Sequence, residues 1–152
     1  MRTLLILLFT LGCFAAATAT EATGRVLKVL PFFLDQQGRD AKSPSLFDRD
    51  AYQAYLREHP TEVSAVRYDV QWQAEKNPAE KFKIRLELRG SDDASLPKLK
   101  TLEAEVTPGT FSQWTELTLG GDDYKKFGSV VAWRVTLWSG DQQLSEEKSF
   151  LW

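Results

Sequence analysis

Few residues in this chain have both the type and the company needed for catalysis. It contains one histidine, His59, and one cysteine, Cys13. A lone histidine next to Pro60 has no second base or nucleophile in its segment, so it offers neither a triad nor a His/Cys zinc cluster. Its ordinary place is a helix C-terminus, where the charged ring is favoured. Acidic pairs occur at Asp92-Asp93 and Asp122-Asp123, both expected in Gly/Ser-rich loops. Carboxylates of this kind bind calcium when they follow a ligating loop pattern. Neither these pairs nor the Asp35 to Asp40 stretch follows the twelve-residue pattern, and solvated turns are the expectation. No metal and no cofactor are expected. Two carboxylates flanking a cleft would make a glycosidase, but the carboxylates here fall in loops or on the charged faces of strands. A small hydrolase is therefore the third choice of function.

The aromatic residues carry more information. Trp72 and Trp133 fall on faces expected to point inward. Trp138 follows Ala132, Arg134 and Thr136 on the polar face of its strand, and Trp152 stands on the expected last strand. An exposed indole offers a flat apolar face with one N–H donor, suited to stacking on sugars or anchoring a partner. Burial of Trp138 beneath a loop or helix is the competing reading, since burying so large a side chain is stabilising. The candidate contact residues are Trp138 and Arg134, together with Arg49 and Tyr52 from the expected helix.

The N-terminus bears on compartment. Met1-Arg2-Thr3 leads into an apolar stretch of about ten residues and then the small residues Ala15 to Ala19, the layout of a secretory signal. The stretch is short of the roughly 20 residues that a membrane span needs. Cleavage after Ala17-Thr18-Ala19 divides the chain into a signal peptide, 1–19, and one domain, 20–152, with no transmembrane span in the mature chain. That domain holds no cysteine and no methionine, which excludes disulfides and thiolate chemistry. Leu11-Gly12-Cys13 resembles the end of a bacterial lipoprotein box, with Thr10 where the box carries Leu; lipidation at Cys13 is the less favoured alternative to a soluble product. Asn77 precedes Pro78, so no glycosylation sequon is present. A periplasmic or extracellular location is expected. Net charge is −2 with no Lys/Arg block, so the footprint of a nucleic-acid binder is missing.

The elements that must position these residues are mostly strands. Val66, Tyr68, Val70 and Trp72 alternate with polar residues, as do Phe82, Ile84, Leu86 and Leu88. Period two with one charged face marks half-buried strands. The polar turn around Asn77-Pro78 suggests that these two pair as a hairpin. Further strands are expected over Arg25 to Asp35, Lys98 to Thr107, Trp114 to Leu119, Val130 to Ser139, and Leu144 to Trp152. Pro31 places the first at a sheet edge, kinked at the proline. In the strand after Ser129, the inward set is expected to be Val131, Trp133, Val135 and Leu137. A two-residue turn at Gly140-Asp141 would set Arg134 opposite Glu147 and Thr136 opposite Ser145, but Trp133 opposite Lys148. A bulge or an edge position would relieve that mismatch. Between the first two strands, Ser43-Pro44-Ser45 and Asp48 signal a helix start, and His59-Pro60 a stop. The helix is expected over about 45–59, with Phe47, Ala51 and Tyr55 in one row and Tyr52 and Leu56 in another.

The alternating strands holding Trp72 and Trp133, closed by the hairpin around Gly140-Asp141, make the region from Ser64 to Trp152 resemble an immunoglobulin-like or fibronectin-III-like sandwich. The resemblance implies an all-β, two-sheet sandwich of about seven strands with one helix inserted after the first. Sandwiches of this kind serve many functions. The expected function is an exported, non-catalytic interaction module that binds an envelope or extracellular protein. The alternative is a carbohydrate-binding module that takes a polysaccharide on exposed aromatics. Mass spectrometry of the mature protein is expected to find an unmodified N-terminus at Thr20; a diacylglycerol on Cys13 would overturn the soluble reading.

Overall fold

The computed structural model describes residues 22–75, 81–91 and 97–152. The expected signal peptide with Cys13, the Asn77-Pro78 turn and the Asp92-Asp93 pair lie outside them. Seven strands form two antiparallel sheets: β1 (Gly24–Asp35), β2 (Val63–Ala74) and β5 (Gln113–Gly120) in the order β1-β2-β5, and β3 (Phe82–Ser91), β4 (Lys98–Val106), β6 (Ser129–Ser139) and β7 (Gln142–Lys148) in the order β4-β3-β6-β7. The inner faces share one core. Val70, Trp72, Ile84, Leu86, Leu88, Val135 and Leu137 are almost fully buried in it. Among the described residues no helix is long and apolar enough to cross a membrane.

The expected hairpin between β2 and β3 does not form, because the two strands lie in different sheets. Their apolar faces meet across the core instead of side by side. A period of two identifies the buried face of a strand but is satisfied equally by a partner beside it or opposite it. Both expected edge strands are edges: β1 borders one sheet and β7 the other. At Pro31 pairing is continuous, opposite Tyr68, and the irregularities fall at Leu27 and between Leu34 and Asp35. Phe33, two residues on, turns its backbone N–H away from β2 to the Gln53 side chain. By the alternation of the ladder, Pro31 turns its missing donor to the same open side, so no sheet hydrogen bond is lost there.

Two registers differ from expectation. The ladder of β3 with β6 skips Val131, so Val130 and Ala132 are consecutive partners and Val131 is left 47% exposed. This bulge removes Val131 from the inward set and packs Val130 against the core in its place. In the last hairpin a shift between Leu137 and Trp138 sets Arg134 opposite Lys148 and Thr136 opposite Glu146. The bulge replaces the poor Trp133–Lys148 pairing. The strand also ends earlier than expected, at Lys148, and Trp152 is turned over the outward face of the sheet, with its ring 4.0 Å from the Arg89 guanidinium and 4.8 Å from that of Arg134.

Helix α1 (Leu46–Glu58) follows the first strand as expected, with Ser45 Oγ accepting the Asp48 N–H at its start. Its buried face is Tyr52, Gln53 and Leu56, whereas Phe47 is 82% exposed, so the Phe47 row points to solvent. A second helix, α2 (Gly121–Phe127), occupies the segment expected as an acidic loop. Asp122 and Asp123 stand in its first turn, where carboxylates meet the free N–H groups, and Asp123 also pairs with Lys100 at 2.6 Å. Phe127 closes α2 against Gly90; a Cβ there would lie 2.7 Å from the Phe127 ring, so only glycine fits.

The Asp35 carboxylate, 3% exposed, ties β1 to α1. It accepts the backbone N–H groups of Gln37 and Arg39, the Arg39 Nε–H and the Tyr52 hydroxyl, at 2.8 to 2.9 Å. Burial alone would raise its pKa. The Arg39 backbone and side chain, Tyr52 and Gln37 together outweigh that and hold it at about 2, against an ordinary 3.8. A folded pKa below the unfolded one gives stabilisation that is complete above 3.8 and lost as pH falls toward about 2. Urea unfolding across that window should show stability falling with acid; in Asp35→Asn the starting stability should be lower and this dependence weaker. Equal acid slopes in the two proteins would contradict the assignment.

Candidate functional site

The four candidate contact residues fall in two separate places. Trp138 and Arg134 lie on the outward face of the β4-β3-β6-β7 sheet. The Trp138 ring is half-buried under the Arg85 guanidinium at 4.9 Å, and its Nε1–H donates to Thr136 Oγ1 at 2.8 Å. Arg134 pairs with Glu87 at 2.7 Å and Glu146 at 3.5 Å and also stacks on Trp152. Arg49 and Tyr52 sit on α1 against the other sheet. Arg49 lies over the Phe32 ring at 4.9 Å, with its Nε buried and unpartnered. The Tyr52 hydroxyl is committed to Asp35, and burial, first, then that bond, raises its pKa. All four side chains are engaged within the molecule, and the two pairs do not meet.

A cleft of about 510 Å3 opens between β1, α1 and β6. β7 pairs with β6 only from Arg134 onward, and Ser149 finishes that edge by accepting the Trp133 N–H at 3.0 Å and donating to its carbonyl at 2.9 Å. Residues 130–132 therefore have no strand beside them on that side. Across the gap stand Pro31 to Phe33 of β1, the opposite open edge. Helix α1 forms the rim with Asp50, Gln53 and Arg57, spaced so that they share one face. Phe33, Val66, Tyr68, Val130 and Trp133 make the lining largely apolar. A smaller pocket of about 180 Å3, which includes Tyr124, shares Phe33, Arg57, Val66 and Val130 with it.

Gln53 holds the rim against β1. Its Oε1 accepts the Phe33 N–H at 2.8 Å, and its Nε2 donates to the Phe33 carbonyl at 2.9 Å and the Asp40 carbonyl at 2.8 Å. A side-chain amide thus takes the place of a neighbouring strand for one residue, which blunts the edge. Tyr68, 3% exposed, packs edge-on to Trp133 with centroids 6.2 Å apart, and its hydroxyl makes no hydrogen bond among the described residues. Burial pushes that phenol well above its ordinary pKa, so it is a neutral donor. Arg57 is exposed and makes no ion pair among the described residues. Asp50 is the one carboxylate among the residues that line the cleft.

Tyr68 and Val131 are expected from sequence only as inward strand residues, and Arg57 carries no local signal of a site. The shared helical face of Asp50, Gln53 and Arg57 was available in the spacing, but Tyr68 had every mark of an ordinary core residue. Trp114, 50% exposed on the outward face of β5 opposite Gln71, was also not distinguished from other strand residues.

No known family matches the chain, and no curated protein matches it. Among solved structures it is similar to the crystal structure of a β-glucosidase from Kluyveromyces marxianus, at 10% identity and a TM-score of 0.35, over 86% of this chain and 14% of that one. A likeness at that level carries no argument about fold or activity.

Gln53→Ala removes the side-chain partner that both Phe33 edge groups have among the described residues. It is expected to cost about 2 kcal/mol and to speed hydrogen exchange selectively at the Phe33 amide. Unchanged exchange there would mean that β1 is held by its pairing with β2 alone.

Proposed function

We propose that this protein is an exported, non-catalytic binding module of the periplasm or extracellular space, and that it binds through the β1–α1–β6 cleft. The observation that carries this reading is the unspent hydrogen-bonding capacity there. The Tyr68 hydroxyl and the Arg57 guanidinium have no partners among the described residues, in a largely apolar cleft of about 510 Å3. Sites for small ligands and for anchoring side chains have this make-up, an apolar wall with a few placed polar groups. A hydrolase of the two-carboxylate kind needs a second acid near Asp50, and the lining offers none. The apolar N-terminal stretch supports export. Strands β3, β6 and β7 lie side by side, opposite β1, β2 and β5; this supports an immunoglobulin-like or fibronectin-III-like reading of the sandwich.

Carbohydrate binding is the second reading. It is favoured by Trp114, half exposed beside Gln71 on an outward sheet face, with Phe111 81% exposed nearby in sequence.

Envelope extract of the source organism, separated into protein, polysaccharide and lipid pools, tests both readings over immobilised protein. Val131→Trp fills the cleft from an exposed position and should abolish retention, while Trp138→Ala and Trp114→Ala should not. Loss in Trp114→Ala alone would favour the carbohydrate reading. Loss in Trp138→Ala alone would move the site to the charged sheet face.

A further inference from the structure

We propose that the cleft takes an apolar monocarboxylate, with the acid group at Arg57 and Tyr68 and the apolar body against Phe33, Val130 and Trp133. This rests on the reading of the cleft as the binding site and adds the chemistry of its occupant.

The argument is an account of donors and acceptors. Gln53 has spent its acceptor and both bonds of its amide nitrogen on Phe33 and Asp40. Ser149 Oγ already accepts the Trp133 N–H. Among the side chains, apart from the Asp50 carboxylate, what remains is donor capacity: the Tyr68 hydroxyl, the Arg57 guanidinium and, in the adjoining pocket, the Tyr124 hydroxyl, none with a hydrogen-bond partner among the described residues. Arg and a neutral phenol can only be satisfied together by a ligand that brings acceptors, and a cation favours an anionic one. A carboxylate supplies two acceptor oxygens and one charge, which matches the two groups of the larger cleft.

Asp50 fixes the orientation. It lies seven residues before Arg57 on α1, about 10 Å along the axis, and so repels an acid at its own end of the rim. Phe33, Val66, Val130 and the faces of Tyr68 and Trp133 offer only apolar contact. A sugar would set much of its polar surface against that apolar wall, and an amine placed at the Arg57 end would meet like charge. An alkyl or aryl chain ending in a carboxylate satisfies both halves.

Decanoate, 3-phenylpropanoate, decanol and decylamine, each below micelle-forming concentration, test this by calorimetric titration of the full mature chain. One of the two acids should bind about tenfold more tightly than decanol and decylamine, the gain expected of one charge-assisted hydrogen-bonded contact. Whether decanoate or phenylpropanoate leads separates an alkyl from an aryl source. Arg57→Gln, on an exposed helix face, should remove most of that preference for the acid. Tyr68→Phe, checked by its melting curve, should weaken the acid several-fold and leave decanol unchanged. Val131→Trp should block all binding. Decanol binding as tightly as the acids, and still blocked by Val131→Trp, would overturn the acid assignment while leaving the cleft as the site. Binding indifferent to Val131→Trp, or no binding by any probe, would overturn it together with the reading it rests on.

Discussion

Buried at the end of β1, the Asp35 carboxylate gathers the N–H groups of Gln37 and Arg39, the Arg39 side chain and the Tyr52 hydroxyl. A charge taken out of water is tolerated only when its lone pairs are filled, so these partners are obligatory. Together they bend the chain out of the sheet, shape the turn that follows, and pin one face of α1. Once Tyr52 is held, Gln53 on the same helix reaches the Phe33 edge groups, and Leu56 packs with Val63. The rim of the cleft therefore depends on one carboxylate that does not itself line it.

The two sheets manage their exposed edges by different devices. On β1, proline removes one donor from the open side and Gln53 occupies the next pair of backbone groups. On β6, β7 covers the strand only from Arg134 onward, Ser149 finishes the cover at Trp133, and the bulge at Val131 breaks the flat register beyond it. Each device discourages pairing with another chain. Together they leave a gap between two sheets that would otherwise close over a continuous core, and that gap is the cleft.

The outward face of the larger sheet shows a different economy. Arg85 lies over Trp138, and Arg89 and Arg134 lie over Trp152; Arg85 adds an ion pair to Glu103, and Arg134 adds ion pairs to Glu87 and Glu146. Such contacts are individually worth about 1 kcal/mol or less when exposed. They shield large indoles from water, and Trp138 is half-buried beneath Arg85.

Local pattern determined the elements of this protein. Alternation marked the strands, Pro31 marked an edge, and Ser45 with His59-Pro60 bounded α1, because each is a property of a few neighbouring residues and their backbone preferences. The presence of acids at 122 and 123 was legible, but their place in the first turn of α2 was not, since a seven-residue helix has too little period to announce itself. Pairing was decided by tertiary structure. Nothing local tells β2 whether β3 lies beside it or across the core, and the bulges at Val131 and after Leu137 arise from fitting one strand to its neighbours. The candidate site belongs to that second class. Val131 becomes an exposed wall, and Tyr68 a cleft residue, only because β6 bulges, β7 stops short and α1 is tied to the edge of β1, and no window of sequence contains those facts.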